Sequence, residues 1–184
     1  MMFLTSDTYI PSIRWRMAEY QALLRLSPQA KERIVPFITI PPIEYDFEER
    51  RPKKTVQKHI QPFATRFKAK WGKRPAWIAV DSSLNAATMD DDRDLFRHIF
   101  DELREFEATA VPALSMNAPD NNIHAISEIL KQDGQGVAIS VRLEDLMTPN
   151  IETQIDELIS QLGTTLSYTD LVIDMGAPKR LIRK

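Results

Sequence analysis

Six short apolar runs, separated by segments with helical periodicity, restrict this chain to one broad class of fold. The runs occupy residues 9–15, 34–40, 76–80, 110–114, 137–143 and 171–175. Several are continuously apolar, the pattern of parallel strands covered on both faces. Between them, apolar residues recur at three- and four-residue spacing. Ile60, Phe63, Ala64, Phe67 and Trp71 form one stripe, ended by Gly72. Leu95, Phe96, Ile99, Phe100, Leu103 and Phe106 form the clearest, and Asp90, Asp91 and Asp92 stand at its start, where negative charge suits the helix dipole. A further stripe through Ile123, Ile126, Ile129 and Leu130 stops at Asp133-Gly134. The last, Ile151 to Leu162, runs from an Asn150 cap to Gly163. A first helix at 18–26 is followed by Ser27-Pro28, a cap-plus-proline start for a short second one.

Strand–helix alternation implies right-handed crossovers and a mostly parallel sheet, so residues 1–184 read as a single α/β domain. Two architectures satisfy that order. One is an incomplete, TIM-barrel-like half of about six strands, since a full barrel takes eight units and about 250 residues. The alternative is an open doubly wound sheet. The chain has only five glycines, and no dinucleotide or P-loop motif follows any strand. Prolines in the first, second and fourth runs each remove a ladder donor and suit edges or strand starts.

Composition narrows the functional classes. The chain is 43% hydrophobic and 27% charged, the balance of a globular protein. Its net charge of −2 gives no polybasic footprint, so nucleic acid is not supported as a partner. The absence of cysteine removes disulfides, thiolate zinc sites and a thiol nucleophile. No apolar run approaches the roughly 20 residues of a membrane span, and no secretory signal opens the chain. Cytoplasm is the default compartment.

In parallel α/β folds, function gathers where the strands end. The ends deliver Arg14, Trp15, Arg16 and Glu19; then Glu44; Asp81-Ser82-Ser83; Ser115, Met116 and Asn117; Arg142, Glu144 and Asp145; and Asp174. Glu44, Asp81 and Asp174 are the candidate catalytic acids, and Arg14, Arg16 and Arg142 the candidate substrate-binding cations. Converging carboxylates would hold Mg or Mn, and arginines would grip phosphate, which together suit phosphodiester or nucleotide hydrolysis. Each residue also has a plainer reading. Asp81 suits a cap after its strand. Asp174, inside an apolar strand, reads as a buried carboxylate that Arg142 of the preceding strand could pair. Alternation puts Arg14 and Arg16 on one face with Trp15 in the core, and Glu19 could pair Arg16 along the helix start. Arg50 to Lys54 read as a solvated loop. His59, His98 and His124 all fall in helices without metal-ligand spacing, and solvent-facing or cap-adjacent positions suit them best.

The stretch Tyr9-x-Pro11-x-Ile13-Arg14-Trp15-Arg16-x-x-Glu19-Tyr20-x-Ala22-Leu23 resembles the opening of the beta family proteins of phages, prophages and bacterial genomes. Residues 34–44, with their Pro41-Pro42 turn, are similar to that family's second strand, and 78–81, 137–142 and 171–176 follow in the expected order. Thr39 stands where the family commonly has an acid, and Ser140 near where it has an arginine. The resemblance implies a TIM-barrel-like fold, mobile-element and phage-defence associations and no established activity; with the modest charge and the lack of a compact catalytic motif it favours action through a protein partner. It also implies that this chain matches the N-terminal part of a larger barrel. Unpaired outer strands would then favour dimerisation, association with a missing half, or poor solubility. Whether the chain is an enzyme stays open at this point: a partner-binding protein without a cofactor and a metal-dependent hydrolase are both carried forward.

Overall fold

The structure is a computed structural model that describes residues 4–176. It opens with β1 (Ser12–Arg14), α1 (Met17–Arg25), α2 (Pro28–Glu32) and β2 (Phe37–Ile40). A two-stranded ribbon follows, β3 (Tyr45–Asp46) and β4 (Arg51–Pro52), then α3 (Val56–Ile60), α4 (Phe63–Lys70) and β5 (Ala76–Val80). The remainder is α5 (Leu95–Glu105), β6 (Ala110–Ser115), α6 (Asp120–Asp133), β7 (Val137–Arg142), α7 (Ile151–Leu162) and β8 (Thr169–Asp174).

Six strands form one sheet in the order β1-β2-β5-β6-β7-β8, every neighbouring pair parallel. That order is the order of the chain. A doubly wound sheet must reverse direction at a switch point, and none occurs here. Successive right-handed crossovers therefore place every helix on the same side, and the sheet curls away from them into a half-barrel.

The pleat sorts side chains between two apolar layers. Ile38, Ile40, Ile78, Leu114, Val137, Ile139 and Val141 point outward and pack with the helices. At the β1 end this layer is aromatic: the Trp15 ring lies 5.4 Å from Tyr20, 5.5 Å from Phe63 and 5.9 Å from Phe67. Phe37, Trp77, Val111, Ala113 and Ala138 point the other way and line the concave face, joined by Ala79 and Val172. Trp77 is fully buried there, although its strand lies in the middle of the sheet. Its indole crosses that floor of small side chains, and Nε1 donates to Asp170 Oδ2 on β8 at 3.3 Å.

Local chemistry fixes the element ends. Ser27 Oγ accepts the Ala30 N–H with Pro28 in the first turn of α2, as its sequence indicates. Gly134 and Gly163 close α6 and α7 in the left-handed conformation. Other expectations need correction. The cap of α5 is Asp94, which accepts from Phe96 and Arg97, whereas Asp90, Asp91 and Asp92 lie in the turn before it. Asn150 holds the cap position of α7 but with φ of 64° and no side-chain bond. Pro11 and Pro36 directly precede their strands, but Pro112 lies within β6, a central strand. Met116 N donates to Ser140 O, and by alternation the Pro112 nitrogen also faces β7. The β6–β7 register begins only at Ala113↔Ala138, so the missing donor falls just before that ladder starts. Gly136 has φ of +86°, and a Cβ there would meet the Tyr168 carbonyl oxygen at 2.6 Å.

Replacing Trp77 with alanine removes the side chain that fills the concave floor. The expected cost is roughly 3–5 kcal/mol of unfolding free energy. A urea titration checks it, and a loss within that of an exposed substitution would contradict the packing described.

Candidate functional site

The strand ends present the sequence-predicted residues along one rim, but the rim does not draw them into a cluster. Arg14 ends β1, with Thr39 of β2 as its register partner, and its guanidinium is exposed. Trp15 turns into the core between two exposed arginines. Glu19 does not pair Arg16. Its Oε1 accepts the Arg14 backbone N–H at 3.2 Å, fastening the start of α1 back onto β1.

Each candidate acid has a local partner. Glu44 sits at the base of the ribbon and meets Lys53 Nζ at 3.1 Å, both exposed. The hydrogen bond and charge of Lys53 hold its carboxyl below the ordinary range, with Arg16 and Lys54 acting in the same direction. Asp81 Oδ1 accepts from Ser83 N at 3.1 Å and Ser83 Oγ at 2.9 Å, capping the short 3₁₀ turn Ser82–Leu84. Arg142 is the register partner of Asp174, and its own N–H donates to Asp145 Oδ2 at 3.0 Å. Asp174 is not the buried carboxylate its apolar neighbours suggest. It is the last residue of an edge strand, it is exposed, and Oδ1 accepts the Gly176 N–H at 2.8 Å. The apolar run is real, but nothing in the described residues covers its end.

Among the described residues no group of three or more histidine or acidic side chains is placed to share a metal ion. The donor set does not fit a Mg or Mn site, because Glu44, Asp81 and Asp174 are each turned toward a lysine or a local N–H. Thr39 and Ser140 both fall on concave positions of their strands.

Three features escaped sequence reasoning. The segment around Arg50 to Lys54 is an ordered ribbon rather than a plain loop. Asp46 Oδ1 accepts from Glu48 N and Glu49 N, and the tip displays Phe47, 83% exposed, beside Tyr45 at 5.2 Å. His98 is buried on α5 instead of facing solvent; Glu102 Oε1 approaches its Nε2 at 3.4 Å without the alignment of a hydrogen bond. The third is Asp170, whose bond to a tryptophan far away in sequence has no local signal. The other histidines follow expectation more closely. His59 Nε2 lies 2.8 Å from the Pro41 carbonyl oxygen and His124 is exposed.

The sequence model of the beta protein family matches residues 9–183, nearly the whole chain. The chain belongs to the beta protein family. No curated protein and no solved structure matches it. Family membership and the half-barrel therefore stand together, and neither assigns a reaction to the rim of this beta protein.

Burial raises the Asp170 carboxyl above its ordinary value of 3.8, although the Trp77 hydrogen bond works in the opposite direction. The folded chain thus keeps that proton to higher pH than the unfolded chain. Stability is lost as pH rises from about the ordinary value through the raised one. Asp170→Asn keeps an acceptor for the indole and cannot ionise, so it is expected to flatten that part of the melting-temperature profile. Asp170→Ala leaves a buried N–H unpaired and should cost about 1–3 kcal/mol. Identical pH profiles for wild type and Asp170→Asn would contradict the assignment.

Proposed function

We propose that this beta protein acts by binding a protein partner, in a phage, prophage or phage-defence setting, through the apolar row that β8 exposes among the described residues. One observation carries the reading. On β7 the outward residues Ile139 and Val141 are 0% and 1% exposed, covered by helices. Their register neighbours on β8, Leu171 and Ile173, are 51% and 53% exposed, and Met175 beyond them is 67% exposed. Among the described residues no strand pairs the outer edge of β8, and an apolar row beside such an edge has the form of a docking surface. The mobile-element setting rests on the family resemblance. No helix among the described residues is long and apolar enough to cross a membrane.

The metal-dependent hydrolase draws no comparable support, since the rim carboxylates are engaged locally. If it were correct, Mg or Mn would raise the melting temperature, and Asp174→Ala would abolish the rise. The expected result is no metal-specific shift in either protein.

The partner reading is tested with the tagged chain expressed from its own locus. A product of a neighbouring gene, or a second differently tagged copy of the chain, should be retained, and Leu171→Lys/Ile173→Lys should release it. Retention of neither, or retention that the double variant leaves unchanged, would contradict the proposal.

A further inference from the structure

We infer that the step from Asp133 to Gly134 is a latent isomerisation site, and that Arg104 of α5 holds it closed. The chain contains one Asp-Gly step and no Asn-Gly step. At an Asp-Gly step the nitrogen is followed by no side chain, so the carboxyl group can close a ring on it with little hindrance. The Gly134 nitrogen gives up its proton and attacks Asp133 Cγ, forming a five-membered succinimide. One carboxyl oxygen leaves as water, taking that proton and the carboxyl's own. A water molecule then opens the ring at either carbonyl. One opening restores aspartate, and the other leaves the main chain running through Cγ as isoaspartate. No oxidant or cofactor takes part, and the final mass is unchanged.

Two features of the fold oppose the ring closure. Arg104 Nε donates to Asp133 Oδ1 at 2.6 Å and Nη2 donates to Oδ2 at 3.1 Å, so both potential leaving oxygens are held. The remaining guanidinium nitrogen, Nη1, donates to Asp101 Oδ1 at 2.7 Å and fixes the fork from its own helix. The Asp133 side chain is only 15% exposed, at the lip of a cleft walled by Phe100, Leu103 and Ala110. Such apolar surroundings strengthen a two-point ionic pairing. The nucleophile is engaged as well, because the Gly134 N–H donates to the Leu130 carbonyl at 2.9 Å and closes α6. The clamp on the carboxylate comes from a different helix, so it holds only while α5 and α6 stay packed.

The position gives the closure its importance. Gly134 takes φ of +62° to end α6, so the residue that stops the helix also creates the weak step. Isoaspartate would lengthen the main chain by one carbon shortly before Gly136. There a Cβ would already meet the Tyr168 carbonyl oxygen at 2.6 Å, and β7 begins at the next residue. An added backbone atom in that link displaces Gly136 from its close approach and shifts the start of β7.

The test incubates the full chain warm at neutral pH and follows its tryptic peptide 132–142, which Lys131 and Arg142 delimit. Chromatography with mass spectrometry separates the aspartate and isoaspartate forms. The folded wild type is expected to isomerise about tenfold or more slowly than the same peptide free in solution. Arg104→Gln should isomerise about tenfold or more faster than wild type, the factor that follows from losing charge-assisted hydrogen bonds at the site. Arg104→Lys keeps the charge but not the fork and should fall between them. Asp133→Glu should form far less product, because its longer side chain needs a larger ring. Ile129→Val loosens the packing of α6 without touching the pair, and should isomerise like wild type. A wild type as fast as the free peptide overturns the inference, as does an Arg104→Gln rate equal to that of wild type. Equal acceleration by Ile129→Val and Arg104→Gln would assign the protection to global stability, and overturns the role of Arg104 too.

Discussion

The indole of Trp77 lying across the concave floor is the contact on which the half-barrel depends. A sheet whose strands follow chain order has all its helices on one side, and its other face must be covered by its own side chains or left to water. This chain places one large ring in the middle and small residues, Ala79, Ala113 and Ala138, where the ring must pass. The ring reaches β8 and ends on Asp170. Curl, burial and the single polar contact are therefore one arrangement. A flat sheet would expose the indole and separate it from its acceptor by two intervening strands.

Among the described residues the rim of this half-barrel carries local contacts rather than one acidic cluster. The carboxylates along the rim stand at strand ends, but each is held by the backbone or lysine nearest to it. Asp81 caps a turn, Asp174 closes the bend at Gly176, and Glu44 steadies the base of the ribbon. Arg14 and Arg16 stand exposed at the end of β1, and Arg142 at the end of β7, which is not a neighbour of β1 in the sheet. Among the described residues the apolar row Leu171, Ile173 and Met175 on β8 stays exposed.

Much of this was legible from periodicity. The parallel strands, the amphipathic α5 and the glycine stops of α6 and α7 follow from spacing, because each depends on residues close in sequence. Strand limits were less accurate, with β1 and β2 starting later and β8 earlier than their apolar runs suggest. Neighbouring strands set where a ladder begins, and a single run does not contain that information. The choice of a curled over a doubly wound sheet needed the family resemblance. The misread residues share one cause. The apolar strand around Asp174 suggests burial, yet burial is decided by what packs on the strand. A helical position suggests an exposed His98, because helices have a solvent side, yet its own side turns inward. Asp170 and Trp77 are ninety-three positions apart and meet only once the sheet curls.

The most direct measurement of the account is the nuclear Overhauser pattern of the Trp77 indole proton, assigned by its loss in Trp77→Phe. A curled half-barrel predicts slow solvent exchange and cross-peaks from that proton to the Asp170 β-protons. Rapid exchange, or cross-peaks confined to the strands adjoining β5, would show that the ring does not span the floor and that the sheet is not closed upon it.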